Sequence, residues 1–205
     1  ALKIMLEKFN EDPTFHKRFN REIRNLGQLN HPNIATAYMA GTENDIHYMA
    51  MEYVEGQTVE EKIKKGPFKE DEAVKIIADT ARGLDYAWKN FRVVHRDIKP
   101  SNIMIRHRDN HIMLVDFGVA KALETKCNQT SIGTQGYSPR EQYKGKPETR
   151  SDIYSLGATM HHLLTGITPT PFRFKSVREI NPDISEKLER VIFKSLQSNP
   201  EDRYK

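Results

Sequence analysis

The first fifty residues alternate short apolar runs with one amphipathic stretch. Residues 1–6 are apolar around a single lysine and predict a strand. An Asp-Pro pair at 12–13 supplies an N-cap and a proline suited to the first helical position. The apolar residues that follow recur at helical spacing: Phe15, Phe19, Leu26 and Leu29. We therefore predict a helix over 13–29, and two apolar runs at 34–41 and 46–53 predict a β-hairpin.

From residue 70 onward the pattern is mainly helical, with apolar faces over 70–90 and 151–165. The first face carries Val74, Ile77, Ala78, Ala81 and Leu84, and the second carries Ile153, Leu156, Met160, Leu163 and Leu164. Shorter elements are predicted at three further places: strands at 103–105 and 112–115, and a helix at about 185–197. The stretch 118–150 has little periodicity, and a loop of that length inside a compact domain is typical of a functional segment.

Composition and charge describe an ordinary globular chain. Hydrophobic residues make up 37% and charged residues 29% of the 205 residues, which excludes a disordered chain. The 32 Lys and Arg against 28 Asp and Glu leave a net charge of +4, spread along the chain, which does not favour a nucleic-acid partner. The single cysteine, Cys127, fits a reducing compartment. No apolar run approaches the roughly 20 residues of a spanning helix, so we expect a cytoplasmic domain with no membrane segment in this chain.

One polar stretch at 95–102, which reads His-Arg-Asp-Ile-Lys-Pro-Ser-Asn, carries the first candidate chemistry. A carboxylate at Asp97 can orient a hydroxyl group and accept its proton. The amide oxygen of Asn102 is a ligand suited to Mg²⁺. Lys99 can place a cation on a phosphoryl group that is being transferred. The alternative interpretation is a polar turn with an Asx bend.

A second candidate motif follows the apolar strand predicted at 112–115. It consists of Asp116, Phe117 and Gly118. A carboxylate at the end of a strand, followed by glycine, suits a second metal contact. The triplet alone occurs by chance in many proteins, but its position after Asp97, with a hairpin between, makes the combination specific.

These two stretches resemble the catalytic loop and the metal-binding triplet of the protein kinase family. Further matches follow in the family's order: Lys3 in the first strand, Glu22 on the first helix, 133–141 at the end of the activation segment, 152–157 on the helix that anchors the catalytic loop, and Arg203, which pairs with Glu141. The resemblance is to bacterial eukaryotic-like Ser/Thr kinases. It implies an α+β, two-lobed fold, with a truncated β-rich N-lobe containing one helix over 1–53 and a mainly helical C-lobe over 54–205.

The resemblance also implies roles in moving the γ-phosphoryl group of ATP to serine or threonine hydroxyls of proteins. Asp97 would act as the base, and Lys99 would offset charge on the γ-phosphoryl group. Asn102 and Asp116 would hold Mg²⁺. Lys3 would hold the α- and β-phosphates, kept in place by its partner Glu22.

The same resemblance places adenine between the two lobes. Met51 is similar to the gatekeeper residue. The backbone C=O of Glu52 and the N–H of Val54 are similar to the hinge partners of the base. Ala1 above and Met104 below would enclose the ring.

Two features bear on substrate class and regulation. Lys99 and the Gly-Thr pair ending at Thr134 resemble those of kinases for serine and threonine rather than for tyrosine. Arg96, beside Asp97, needs a negative partner, which a phosphorylated residue of the activation segment would supply. The candidates for this self-phosphorylation are Thr125, Thr130 and Ser131, with the alternative that all three are ordinary polar loop residues.

The chain departs from the family in three respects. No Gly-rich phosphate loop precedes Ala1, and the closing helices expected after Lys205 are absent from the sequence. We therefore expect an active parent protein and a piece that is itself inactive or weakly ATP-binding. Arg140 stands where the family usually has proline, with an effect that the sequence leaves open.

Two alternatives to an active protein kinase remain at this stage. The chain can be a pseudokinase that serves as a scaffold, or a kinase-like phosphotransferase for a small molecule. A zinc site at His107 and His111 is disfavoured, because no third ligand accompanies them. His161 and His162, inside the helix at 151–165, are interpreted as structural.

Overall fold

The computed structural model describes residues 1–4, 27–44, 46–117 and 136–205, and its elements change from mainly strands to mainly helices along the chain. The strands are β1 (Leu2–Ile4), β2 (Ala37–Glu43), β3 (Ile46–Met51), β4 (Gly56–Thr58), β5 (Ile103–Arg106) and β6 (Ile112–Leu114). The helices are α1 (Val59–Ile63), α2 (Glu70–Phe91), α3 (Arg140–Tyr143), α4 (Thr149–Thr165), α5 (Val177–Ile180) and α6 (Glu186–Ser195). Short 3₁₀ turns lie at Pro100–Asn102 and Pro200–Asp202.

The first sheet has the strand order β1-β3-β2, with both pairs antiparallel. Lys3 lies opposite Met49 in this ladder. The backbones of Ala1 and Met51 extend the pairing with hydrogen bonds of 2.6 and 2.9 Å. The predicted strand at 1–6 and the predicted hairpin are therefore present where the structure describes them. The sheet aligns Lys3 beside the strand that leads to the proposed hinge.

The second sheet has the order β4-β5-β6 and is also antiparallel. Residues 33–35 pair with its last strand, because Asn33 O accepts from Leu114 N (2.9 Å) and Leu114 O accepts from Ala35 N (3.0 Å). This backbone pairing joins a segment assigned by sequence to the N-lobe to a strand of the C-lobe. The predicted boundary between residues 53 and 54 stays a prediction.

Helix α2 covers the predicted 70–90, but its buried face differs from the predicted one. Val74 is 41% exposed, whereas its neighbour Ala73 is fully buried. The buried positions are Ala73, Ile76, Thr80, Gly83, Leu84 and Ala87. Thr80 occupies the apolar face because its Oγ1 donates to Ile76 O (2.8 Å), which satisfies the hydroxyl inside the helix. Of the predicted positions only Leu84 is among the buried ones, so the predicted face is wrong by about one position along most of the helix.

Helix α4 lies at the centre of the helical part and is buried on nearly every side. Leu163 and Leu164 are fully buried, and polar residues such as Asp152 and Thr159 are buried with them. The helix ends at Thr165 and is capped by Gly166, whose φ of 69° is left-handed and therefore favours glycine. Helices α2 and α6 pack against α4. A helix buried all round is a rigid support, and α4 carries Asp152 at its first turn.

Several sequence predictions fall outside the described residues. These are most of the helix over 13–29, together with Glu22, Gly118, the activation-segment candidates Thr125, Thr130 and Ser131, Cys127 and Thr134. At the end of the predicted helix, residues 27–28 form a turn and Leu29 is buried without helical structure. No helix in the described ranges combines the length and the apolar composition needed to cross a bilayer.

Candidate active site

Asp97, Lys99 and Asn102 converge on one loop between α2 and β5. Asn102 Nδ2 donates to Asp97 Oδ2 (3.0 Å) and to the Asp97 backbone oxygen (2.8 Å). Lys99 Nζ lies 3.1 Å from Asp97 Oδ2. The Asp97 side chain is 14% exposed, so it is held on a nearly buried loop with access to solvent. The two hydrogen bonds fix the carboxylate orientation and leave the amide oxygen of Asn102 directed away from Asp97.

The backbone just before Asp97 is strained. Arg96 has a φ of 69°, a conformation that costs energy in a residue with a Cβ. The carboxylate of Asp152 accepts the backbone N–H groups of His95 (2.8 Å) and Arg96 (2.9 Å). Gln142 Nε2 donates to Arg96 O (2.7 Å) from the other side. Helices α4 and α3 therefore hold the loop in a shape that it would not adopt alone.

Asp152 is an ionisable group placed inside the protein. Burial raises its pKa to about 6, although the N–H groups of Arg96 and His95 and the charge of Arg96 oppose this shift. A carboxylate with two N–H donors is stable there, but its charge carries a desolvation cost. The Nε atom of Arg96 is buried and has no hydrogen-bond partner among the described residues.

Asp116 follows β6 and also has a left-handed backbone, with φ 59°. Its neighbour Phe117 is only 7% exposed and belongs to the main hydrophobic core. The Phe117 ring packs against His95, with centroids 4.6 Å apart. Val115 N donates to Asn102 O (2.9 Å), which ties the two polar stretches together. Burial of Phe117 on one side presents the Asp116 carboxylate on the other.

Lys3 reaches Asp116 directly. Its Nζ lies 3.0 Å from Asp116 Oδ1, and each side chain is 35% exposed. This ion pair joins the first sheet to the loop after β6. Glu22, the partner predicted for Lys3, lies outside the described residues.

Residues 52–55 link β3 of the first sheet to β4 of the second sheet. The residues predicted to surround adenine lie on or near this link. Val54 is buried with Ala35 and Met113, and Met51 and Met104 pack against this cluster. Glu52 is held by Thr36, which donates its N–H to Glu52 Oε2 (3.1 Å) and accepts from Glu52 N (2.8 Å). Ala1 is exposed beside Met51.

A small cavity lies behind these residues. It holds about 20 Å³ and is lined in part by Met51, Asp116 and Phe117. The space is too small for a nucleotide.

The donor set of the site fits Mg²⁺ rather than zinc. Because Nδ2 of Asn102 is used by Asp97, the amide oxygen is the atom left for a cation. One amide oxygen and one carboxylate are the few protein ligands with which Mg²⁺ is usually bound beside phosphate groups. The described residues contain no group of three His, Cys, Asp or Glu that could hold a metal. His111 instead contacts Pro32 O through Nε2 (2.9 Å).

Glu141 and Arg203 form a buried, two-pronged ion pair. Arg203 Nη1 lies 2.6 Å from Glu141 Oε1, and Nη2 lies 3.2 Å from Oε2. The Arg203 side chain is 0% exposed. Burial raises the pKa of Glu141, but hydrogen bonds from Arg203 and Ser151 outweigh it and hold the pKa below its usual value. The pair fastens the start of α3 to the end of the chain.

Two contacts made by residues 137–140, near the Glu141–Arg203 pair, were not predicted from the sequence. Tyr137 Oη lies 2.6 Å from His162 Nδ1 in the interior, and burial lowers the pKa of His162. Arg140, whose effect the sequence left open, lies over the Phe172 ring at 4.5 Å. These contacts involve residues more than twenty positions apart, and no periodic pattern or short motif signals them.

Comparison with known proteins agrees with this geometry. The family described as Protein kinase domain matches residues 1–205. Over its whole length the chain is 37% identical to the serine/threonine-protein kinase PknB of Mycobacterium leprae (strain TN) across 227 residues, 36% of that protein. It is 38% identical to the serine/threonine-protein kinase PrkC of Bacillus subtilis (strain 168) across 226 residues, 34% of that protein.

A crystal structure of the Mycobacterium tuberculosis PknI kinase domain superposes on the whole chain with a TM-score of 0.84 at 28% identity, covering 79% of that structure. The predicted α+β fold is therefore confirmed. The chain spans about a third of the length of the curated relatives that it matches.

Proposed function

Because the chain belongs to the protein kinase family and resembles its bacterial serine/threonine members, we propose that it provides the catalytic centre of a protein serine/threonine kinase. In the proposed reaction, a serine or threonine hydroxyl of a protein attacks the γ-phosphorus of ATP. The bond from that phosphorus to the bridging oxygen of ADP breaks. The observation that carries the proposal is the convergence of Asn102 and Lys99 on Asp97.

Asp97 is proposed to orient the attacking hydroxyl and to accept its proton. Asn102 donates to the same carboxylate oxygen that Lys99 approaches, Oδ2. A carboxylate held by two donors keeps one geometry, which is what an orienting base requires. Lys99 brings a positive charge beside Asp97, where it can offset the charge of the transferred phosphoryl group.

The family uses ATP with Mg²⁺, and the metal, when bound, neutralises charge on the phosphates. We assign the Asn102 amide oxygen and the Asp116 carboxylate as its protein ligands. The left-handed backbone of Asp116 and the buried ring of Phe117 hold this carboxylate toward the site. Local strain of this kind persists only where the surrounding structure over-determines it.

We assign Lys3 to the α- and β-phosphates and Glu22 as the residue that keeps it in place. Lys3 is positioned by its pairing with β3, opposite Met49. Its present partner is the Asp116 carboxylate at 3.0 Å. Such a half-exposed pair is worth little, roughly 0–1 kcal/mol, so the phosphates can displace it.

We assign the adenine site to the link between the sheets, with Met51 as gatekeeper and Ala1 and Met104 on either face of the ring. The base would pair with Glu52 O and Val54 N, for which no partner is found among the described residues. Val54 is held in place by burial against Ala35 and Met113. A fixed backbone is well suited to recognise the edge of a planar base.

Regulation by phosphate is the second part of the proposal. The buried Arg96 Nε atom has no partner among the described residues. A phosphate on Thr125, Thr130 or Ser131 would satisfy this guanidinium and stabilise the loop that carries Asp97. The protein substrates themselves would be bound beside residues 133–141, which resemble the family's substrate platform.

The test uses the full-length protein with radiolabelled ATP, Mg²⁺ and a generic protein substrate, followed by phosphoamino-acid analysis. We expect label on phosphoserine and phosphothreonine and none on phosphotyrosine. Nucleotide binding without transfer would instead support the scaffold alternative. Transfer to an aminoglycoside but not to protein would support the small-molecule alternative.

A further inference from the structure

Gln142, on the short helix α3, connects the proposed substrate platform with the catalytic loop. It directly follows residues 133–141 in the sequence and is only 3% exposed. Its Nε2 group donates to Arg96 O (2.7 Å) and to Ser138 Oγ (3.2 Å). An amide NH₂ group carries two hydrogens, so these two contacts use both. One hydrogen bond therefore reaches the catalytic loop, and the other returns to the platform.

The hydrogen bond to Arg96 O acts on the peptide group that carries Asp97. This planar group has Arg96 O at one edge and the N–H of Asp97 at the other. The N–H of Asp97 donates to His95 Nδ1 at 3.2 Å. Gln142 and His95 therefore restrain the plane from its two opposite edges. A rotation of this plane would move the Cβ atom of Asp97 and, with it, the carboxylate.

Asp152 holds different peptide groups of the same loop. Its carboxylate accepts the N–H groups of His95 (2.8 Å) and Arg96 (2.9 Å), which belong to the two peptide groups before the one that carries Asp97. Within the described ranges, no residue other than Gln142 donates to Arg96 O. The orientation of this carbonyl group therefore depends on Gln142 rather than on Asp152.

The orientation of the Gln142 amide is determined by its partner on the loop. Because Arg96 O only accepts hydrogen bonds, Nε2 and not Oε1 faces it. In this orientation Oε1 is buried and has no hydrogen-bond partner in the described part of the chain. An unpaired buried acceptor lowers the stability of the fold, and departures of this kind are expected at functional sites. The cost is accounted for if the contact with Arg96 serves the catalytic loop.

Helix α3 is a firm support for Gln142, because the residues on both sides of it are anchored. Glu141 forms the buried ion pair with Arg203, at 2.6 Å. Tyr143 packs against Phe172, with ring centroids 5.8 Å apart. The position of the Gln142 side chain is therefore tied to the segment that ends the proposed substrate platform.

We propose that Gln142 is a positioning residue that ties the orientation of Asp97 to the proposed substrate platform. Its side chain is buried and bonded to the backbone of Arg96, so it does not touch the reacting groups. Its replacement should lower the rate of phosphoryl transfer without weakening the binding of ATP or of the protein substrate. The effect on transfer rests on the proposed function, whereas the restraint on the loop does not.

The restraint is tested without ATP, by hydrogen exchange of the full-length protein followed by mass spectrometry. Gln142→Met keeps a side chain of similar length and removes both donors. We expect amide exchange in the peptide that covers residues 95–99 to be roughly 5-fold faster in Gln142→Met than in wild type. The control Gln197→Met removes a similar bond outside the site, from Nε2 to Phe193 O (3.0 Å), and should leave this peptide unchanged. Exchange of Gln142→Met at the wild-type rate would overturn the proposal.

The positioning role is tested by a double-mutant cycle in protein phosphorylation, with wild type, Gln142→Met, Asp97→Asn and the double variant. We expect Gln142→Met alone to lower kcat roughly 10-fold and to change KM for ATP and for the protein substrate by less than about 2-fold. In the Asp97→Asn background the same replacement should change the residual rate by less than about 2-fold, because no base remains to be positioned. A similar loss in both backgrounds, or a loss confined to KM, would refute the role.

The cycle also separates positioning from a loss of folded protein. Partial unfolding of Gln142→Met would lower the rate equally with and without Asp97, so it cannot produce an effect that disappears in Asp97→Asn. A wild-type protein that transfers no phosphate would refute the proposed function. The hydrogen-exchange comparison needs no activity, so in that case it still decides whether Gln142 restrains the loop.

Discussion

Lys3 Nζ lies 3.0 Å from Asp116 Oδ1, so the lysine of the first strand and the aspartate after β6 are ion-paired. The two residues are 113 positions apart in sequence, and each side chain keeps about a third of its surface exposed. The contact brings the proposed phosphate-binding and metal-binding groups to one place. It also means that ATP with Mg²⁺ must replace the Lys3–Asp116 attraction by contacts of its own.

Replacing Lys3 should therefore impair the use of ATP without unfolding the protein. We expect Lys3→Met to lower kcat/KM for ATP by roughly 10²-fold or more, since one lost charge-stabilising donor typically costs that much. Steady-state kinetics of the full-length protein measures this. Lys62→Met, which removes a similarly exposed lysine from its 3.2 Å pair with Glu72, serves as the control. Equal kinetics for the two variants would exclude a role for Lys3 in the reaction.

The Glu141–Arg203 pair should contribute strongly to stability. Because the Arg203 side chain is fully buried, Glu141→Ala leaves an uncompensated charge, and we expect a loss of about 3–5 kcal/mol in the free energy of unfolding. Urea denaturation measures it. The exposed pair Arg190–Glu186 is the control, and Glu186→Ala should cost about 1 kcal/mol or less. Similar losses for both variants would contradict the assigned burial of the pair.

Asp152 should make the free energy of unfolding decrease as pH rises. Burial raises its folded-state pKa to about 6, above its value in the unfolded chain. Between roughly pH 4 and 6 the folded state therefore binds more protons than the unfolded state, and the contribution of Asp152 is lost as pH rises through this window. We expect wild type to lose about 2 kcal/mol relative to Asp152→Asn between pH 4 and 7.

The control for this titration is Asp109→Asn. The hydrogen bond from Arg106 holds the pKa of Asp109 well below its usual range, so Asp109 stays ionised throughout the window. Urea denaturation of all three proteins at several pH values gives the comparison. A difference between wild type and Asp152→Asn that does not change with pH would show that Asp152 titrates normally.

Arg96 should link phosphorylation to activity. Phosphopeptide mapping of the active full-length protein is expected to find phosphate between residues 119 and 133. Treatment with a phosphatase should lower the kinase rate of wild type and leave Arg96→Ala at its already reduced rate, because Arg96 is the proposed partner of the phosphate. An active protein without phosphate in this segment would exclude the mechanism.

Local signals in the sequence predicted much of the fold. The apolar spacing located α2, α4 and the strands β2, β3, β5 and β6 to within a few residues. It placed Val74, which is exposed, on the buried face and left out Thr80, because a count of apolar side chains does not register a hydroxyl that is satisfied by Ile76 O. The α+β class followed from the resemblance, which the comparisons confirm.

For the site, the sequence placed Asp97, Lys99 and Asn102 on one loop. In the structure, the side chains of Lys99 and Asn102 both contact Asp97. The left-handed backbone of Arg96 could not be predicted, because Asp152, on a helix distant in sequence, accepts its backbone N–H group. His161 and His162, interpreted from the sequence as structural, are both buried in α4 and contact Lys175 O and Tyr137 Oη.

The central claim is that Asp97 orients and deprotonates the hydroxyl that receives the phosphoryl group. The most direct test compares wild type, Asp97→Asn and the surface control Asp109→Asn by two readouts, ATP·Mg²⁺ affinity by calorimetry and phosphoryl transfer to protein in a single turnover. We predict unchanged nucleotide affinity for all three and a transfer rate at least about 10²-fold lower for Asp97→Asn alone. Transfer by Asp97→Asn at the wild-type rate would contradict the assignment.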